Sequence, residues 1–285
     1  VRRADATYRH IFHGPFQSSR LFAMPTADTV GAYMLSLSGD GSLLQQPGVL
    51  TSAGVIAVGF GDIAQLEYRH TEAISVDGVV APVPSLGVQL KLPIPEHSGV
   101  PAVGVAFRLG RPRRETFGAT TVEETVTDLF FVIRERFDSV PWLTLHEGIR
   151  YSPASITLSG DITANKDNCP TCTKNMFFVT SGIELAMNPT AKFVAEFASA
   201  PRFKWTRGQG DPSIATGFLG RMGVRWSILP STVLDASFGY QLDRGETTGA
   251  GDPRNIVQQW DIRLGAEIFV PWGALTCKAV GVFCD

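Results

Sequence analysis

The chain has 285 residues, a formal net charge of −2 and 44% hydrophobic residues. It holds no apolar run of about 18 residues, which excludes a membrane-crossing helix, and its near-neutral charge excludes a general electrostatic grip on nucleic acid. Its 29 glycines and 18 prolines fit a turn-rich all-β chain.

Residues 1–26, with Tyr8, His10, Phe12, His13 and Pro15, show no alternation and read as an arm or plug ahead of the first strand. From there, segments of roughly ten residues alternate polar with apolar side chains, the period of a β-strand. Strands are expected at about 29–39, 51–60, 63–72, 84–92, 101–110, 122–137, 142–151, 176–187, 191–200, 214–228, 232–242 and 256–270. The sixth is ambiguous, because 125–137 also suits a short helix. In the seventh, Glu147 interrupts an apolar face of Leu143, Leu145, Ile149 and Tyr151.

Alternation alone fits both a soluble sandwich and a transmembrane barrel with a polar interior. The connections favour the barrel. Short links at Gly61-Asp62, Asp138–Pro141, Asn188–Thr190 and Leu229–Ser231 alternate with long ones after the odd-numbered strands. Short periplasmic turns and long extracellular loops give that rhythm. The expected fold is therefore all-β: an antiparallel up-and-down transmembrane barrel of about twelve strands, closed because lipid cannot satisfy an open edge. Tyr33, Tyr68, Trp142, Tyr151, Trp226, Tyr240, Phe269 and Trp272 lie near strand ends, where interfacial girdles belong.

Parity puts Gln65, Glu67, Arg69, Gln89, Lys91, Arg108, Glu184, Lys192, Glu196, Arg221, Arg225, Asp235, Gln241, Asp261, Arg263 and Glu267 on the interior faces, with Arg150 a further cation. Such charges either tune an open pore or pair with one another and fill a narrow barrel. Cys169 and Cys172 form a C-x-x-C in the longest outer loop, and Cys277 and Cys284 lie near the other end. In an oxidising envelope each pair reads as a local disulfide. No cofactor motif is present. His10 and His13 lack a third ligand at metal spacing, so no metal is assigned. His146 has no evident serine partner for acyl hydrolysis, so no enzymatic activity is expected and an outer-membrane lipid hydrolase carries little weight.

The stretches around Ser19–Ala27, Gly59–Tyr68 and Met222–Gln241 resemble porin-like outer-membrane β-barrel proteins of Gram-negative bacteria. The resemblance spans about residues 27–272 and rests on barrel grammar, not on a diagnostic motif. It implies a secretory signal removed before Val1, assembly into the outer membrane and a passive role. The division it suggests is an arm or plug (1–26), a barrel (27–272) and a periplasmic tail (273–285). Such barrels often end on an aromatic residue, whereas this chain continues past Trp272 to Asp285. The leading functional expectation is a narrow channel for small solutes or ions. The alternative is a closed structural barrel that docks an envelope protein through its arm, loops or tail. The expected partner in either case is the lipid bilayer.

Overall fold

Period-two alternation, frequent β-branched and aromatic residues and turn residues at the breaks make strands almost throughout. The computed structural model describes residues 19–45, 49–75, 84–93, 101–117, 119–160, 171–206, 209–243 and 258–273. Its strands are β1 (Met34–Gln45), β2 (Val49–Phe60), β3 (Ala64–Ser75), β4 (Ser85–Lys91), β5 (Ala102–Gly110), β6 (Arg113–Phe117), β7 (Thr120–Phe137), β8 (Val140–Gly160), β9 (Thr171–Asn188), β10 (Ala191–Thr206), β11 (Gln209–Leu229), β12 (Thr232–Asp243) and β13 (Gln258–Pro271).

All pairings are antiparallel, and β1 closes on β13 through Met34↔Pro271 to Gln45↔Asp261. On the other side β5 pairs with β7 through Ala102↔Arg134, which completes a ring of twelve strands. The thirteenth, β6, continues β5 along the upper part of β7 after a break at Arg111-Pro112. Proline cannot donate to the ladder, which accounts for the interruption.

The short turns fall where the sequence puts them. At Gly61-Asp62 both residues take positive φ, 60° and 56°. That conformation matches the twist of the flanking strands and suits Gly and Asp. At the next short hairpin but one, Asn188 Oδ1 accepts the N–H of Thr190 at 2.8 Å.

Residues 120–137 are strand throughout, as expected of the sixth strand, and the helical alternative falls away. Two expectations are corrected. The first strand begins at Met34, not near residue 29, because Val30 is drawn inward to Gln65 and Tyr33 (φ 55°) breaks the extended run. The links after the first, fifth and ninth expected strands are mostly hairpin: β1 and β2 run on to Gln45 and Val49, β6 pairs on β7, and β10 and β11 run on to Thr206 and Gln209.

The faces of β7, β8 and β9 change meaning along their length. Near the short turns the outer face is apolar, with Phe131, Ile149 and Val179 exposed. Leu129, Tyr151 and Phe177 stand in one row across the three strands, and the Tyr151 and Phe177 rings lie 4.7 Å apart. Above that row the outward residues are mostly polar (Thr125, Ser155, Thr157, Thr173), while Val122, Ala154, Ile156, Leu158 and Met176 on the inward face are apolar and buried, beside a single buried carboxylate, Glu124. Apolar outside and polar inside is the membrane pattern; the reverse is the pattern of a sheet in water. The aromatic row therefore marks the outer edge of the hydrocarbon layer.

Of the aromatic residues assigned to a girdle, Trp142 and Trp226 are exposed, and Tyr33 meets Trp272 edge-on at 5.5 Å. Phe269 is not a girdle residue. It is buried, on the same face as Glu267, because parity on β13 turns it inward while Ile268 faces out.

Candidate functional site: the filled lumen

Residues 19–32 enter the ring and occupy it. Leu21, Thr26 and Ala27 have no solvent exposure. The segment makes a U-turn closed by Leu21 N–H to Met24 O (2.9 Å) and Thr26 N–H to Ser19 O (2.9 Å). Both limbs lead back toward the short-turn end, where residue 34 begins β1.

A re-entrant backbone needs partners for its N–H and C=O groups, and the barrel wall supplies them from side chains. Glu196 on β10 sits under the tip, its carboxylate accepting the N–H groups of Phe22 (3.0 Å), Ala23 (3.0 Å) and Met24 (3.2 Å). Successive N–H groups converging on one anion form a nest. Gln89 Nε2 donates to Thr26 O at 2.8 Å and also reaches the carbonyls of Ser19 and Asp28. Gln65 Oε1 accepts Val30 N–H at 2.8 Å. Arg225 donates to Leu21 O at 2.9 Å while bound to Asp235 at 2.6 Å. Asp28 pairs with Lys91 at 3.2 Å and with Arg134. At the base, Asp62 in the first turn accepts Ala32 N–H at 2.6 Å.

Apolar contacts and missing side chains complete the seat. Leu21, Met24 and Ala27 pack with Ala102, Ala106, Phe130, Val132 and Val194. Gly59 and Gly104 face the segment, and a Cβ at Gly104 would lie 2.8 Å from Ala27 Cα. At Gly59 it would lie 2.2 Å from Val30 O. The close approach is open only to glycine.

The wall charges bind one another around this segment. Glu67 meets Arg108, and Glu184 meets Lys192 at 2.6 Å. Arg221 bonds Asp261 at 2.9 Å, Arg263 bonds Asp261 and Asp40, and Glu267 accepts from Ser36. Arg69 reaches Ala23 O at 3.4 Å. Each of these side chains is buried or partly buried and paired with another wall residue or with the segment; that of Gln241 lies outside the described side chains.

The outer mouth has a second closure. Pairing of β9 with β10 stops at Ser181↔Phe197, whereas β10 stays paired with β11 beyond that level. The freed β10–β11 hairpin folds across the mouth. Its Phe203 and Ile214 pack on Ile156, Met176 and Phe178. Lys174 Nζ donates to Ile214 O at 3.0 Å, and Cys172 Sγ lies 3.3 Å from Pro212 O. At the split, Arg150 bonds Asp128 through two nitrogens at 2.8 Å each and donates to Ser199 O at 2.8 Å.

Several of these groups escaped the sequence reading. Asp28, Asp40, Asp128 and Arg134 are structural partners that parity alone missed. Arg134 was within reach, because strand 122–137 puts it on the face of Val132. Asp28 carries no local signal, since its partners are far away in sequence. His146 lies 3.5 Å from Glu184 Oε2, and Ser181 on the next strand turns outward to Glu147 at 2.8 Å. Cys169, Cys277 and Cys284 lie outside the described residues, as do His10 and His13.

No family model and no curated protein matches the sequence. Solved structures do match. The translocator domain of the autotransporter NalP from Neisseria meningitidis aligns with 82% of this chain and 86% of its own, at 15% identity and a TM-score of 0.50. The chain has the fold of a bacterial outer-membrane β-barrel. A closed antiparallel ring with an apolar belt and a polar interior has no other stable solvent arrangement. The barrel is also similar to the NanC porin (10% identity, TM-score 0.45, 82% of this chain and 98% of that one). A third match is Omp33 of Acinetobacter baumannii (11%, 0.41, 83% and 97%).

Proposed function

We propose that the barrel is a porin-like channel for small solutes or ions that its own residues 19–32 hold shut at rest. The observation that carries this reading is the grip of Glu196 on the N–H groups of Phe22, Ala23 and Met24 in mid-lumen. The segment is seated by side-chain hydrogen bonds and ion pairs, and it is not a strand of the sheet. It can therefore leave without breaking the ring.

A second reading, a permanently closed structural barrel, is favoured by the apolar cluster across the outer mouth. Planar-bilayer conductance separates the two. The wild-type protein is expected to be silent. Gly104→Val combined with Glu196→Gln, which crowds the segment and removes its anionic anchor, is expected to give stepwise openings. Silence of that variant even with Phe203→Asp added, with folding confirmed by heat-modifiable gel mobility and insertion confirmed independently, decides for the closed structural barrel.

A further inference from the structure

The outer face above the aromatic row is a grid of hydroxyl groups. Rows run across adjacent strands in register: Thr125, Ser155 and Thr173 in one, and Thr121 and Ser159 in another. Thr157 stands between these rows beside Glu123. Thr121 is joined to Thr116 on β6 by a 3.2 Å hydroxyl contact. Neighbouring hydroxyls are thus about 5 Å apart across strands and about 7 Å apart along them. The charge within the grid is largely cancelled, since Arg114 is bonded to Glu123.

Two features point to what this face meets. It is continuous with the lipid-facing wall, separated from Tyr151 and Phe177 only by the row of Pro153 and Asn175. It therefore stands at the level of the lipid headgroups. Among the described residues it also lacks the clustered Lys and Arg that bind phosphate, offering instead groups that both donate and accept. Neutral sugar hydroxyls match that chemistry. A face needed only for solubility is ordinarily rich in charge.

We infer that the hydroxyl grid on upper β7–β9 binds the saccharide headgroups of a glycolipid in the outer leaflet. The carbohydrate lies against the strands as the acyl chains lie against the wall below. The contact holds the curled upper sheet at the membrane surface.

The test uses the full chain folded in detergent and two defined glycolipids. One carries its full set of core sugars, and the other has the same acyl chains but is stripped of them. Binding is read by tryptophan fluorescence titration. The comparison is with Thr121→Val/Thr157→Val/Thr173→Val, which keeps side-chain shape and β-propensity but removes three hydroxyls. Wild type is expected to prefer the sugar-bearing form by about tenfold or more, the loss of a few hydrogen bonds worth about 1 kcal/mol each. The variant is expected to lose that preference while binding the stripped form unchanged. Equal binding of both glycolipids by wild type, meaning acyl contact only, overturns the inference. So does a preference retained by the variant, or no binding at all.

Discussion

Glu196 shows how one side chain organises a segment with no secondary structure of its own. Three N–H groups that would otherwise lie buried and unpaired converge on its carboxylate. Hydrogen bonds to a charged acceptor contribute about 1.5–3 kcal/mol. Glu196→Gln keeps the length and removes the charge, so the tip loses about that much local stability. The amides of Phe22, Ala23 and Met24 should then exchange with deuterium about tenfold faster or more. Amides in the β2–β3 ladder should not change. Acceleration spread evenly over the barrel would show Glu196 to be a general folding residue and not an anchor for the segment.

At the scale of the element, most strands were legible because period two survives in any solvent. The breaks were legible because Gly, Pro, Asn and Asp mark them. What escaped has physical causes. The run Leu129–Ile133 reads as helix or strand because both faces are apolar: Leu129 and Phe131 meet lipid, while Phe130 and Val132 pack under the luminal segment. The upper parts of β8 and β9 were cut short because alternation continues past Tyr151 with its sense reversed. Residues 19–26 left no periodic trace, since their backbone is held by scattered side chains on distant strands. The reversal makes a prediction. Ile149→Arg puts a charge on the wall one side-chain row below the aromatic edge and should cost about 1 kcal/mol of folding stability, less than the about 2–4 kcal/mol of an arginine at the midplane. Thr157→Arg, on the same strand and the same face but above the aromatic row, should cost under about 0.5 kcal/mol. Denaturant titration of the two variants in lipid vesicles checks the boundary; equal losses would mean that the membrane does not end at Tyr151 and Phe177.

The whole molecule carries two closures in series of opposite chemistry. The lower one is polar: a backbone segment bound by Glu196, Gln89, Gln65 and Arg225 within a wall of ion pairs. The upper one is apolar: the β10–β11 hairpin packed on the inner faces of β7–β9. The twelve-strand ring carries both without depending on either, because its ladder is complete through β1–β13 and β5–β7. If each closure opens independently, the conducting fraction is the product of the two open fractions. Disturbing one alone then yields little. Phe203→Asp places a carboxylate in the apolar cluster, an unfavourable burial by several kcal/mol, and should release the hairpin. By itself it should leave the bilayer silent, because residues 19–32 still fill the lower lumen. Gly104→Val/Glu196→Gln by itself should give brief openings, interrupted by the hairpin. The three substitutions together should give long, steady openings. Steady conductance from Phe203→Asp alone would show the luminal segment to be no barrier, and openings of the same duration with and without Phe203→Asp would show the hairpin to be none.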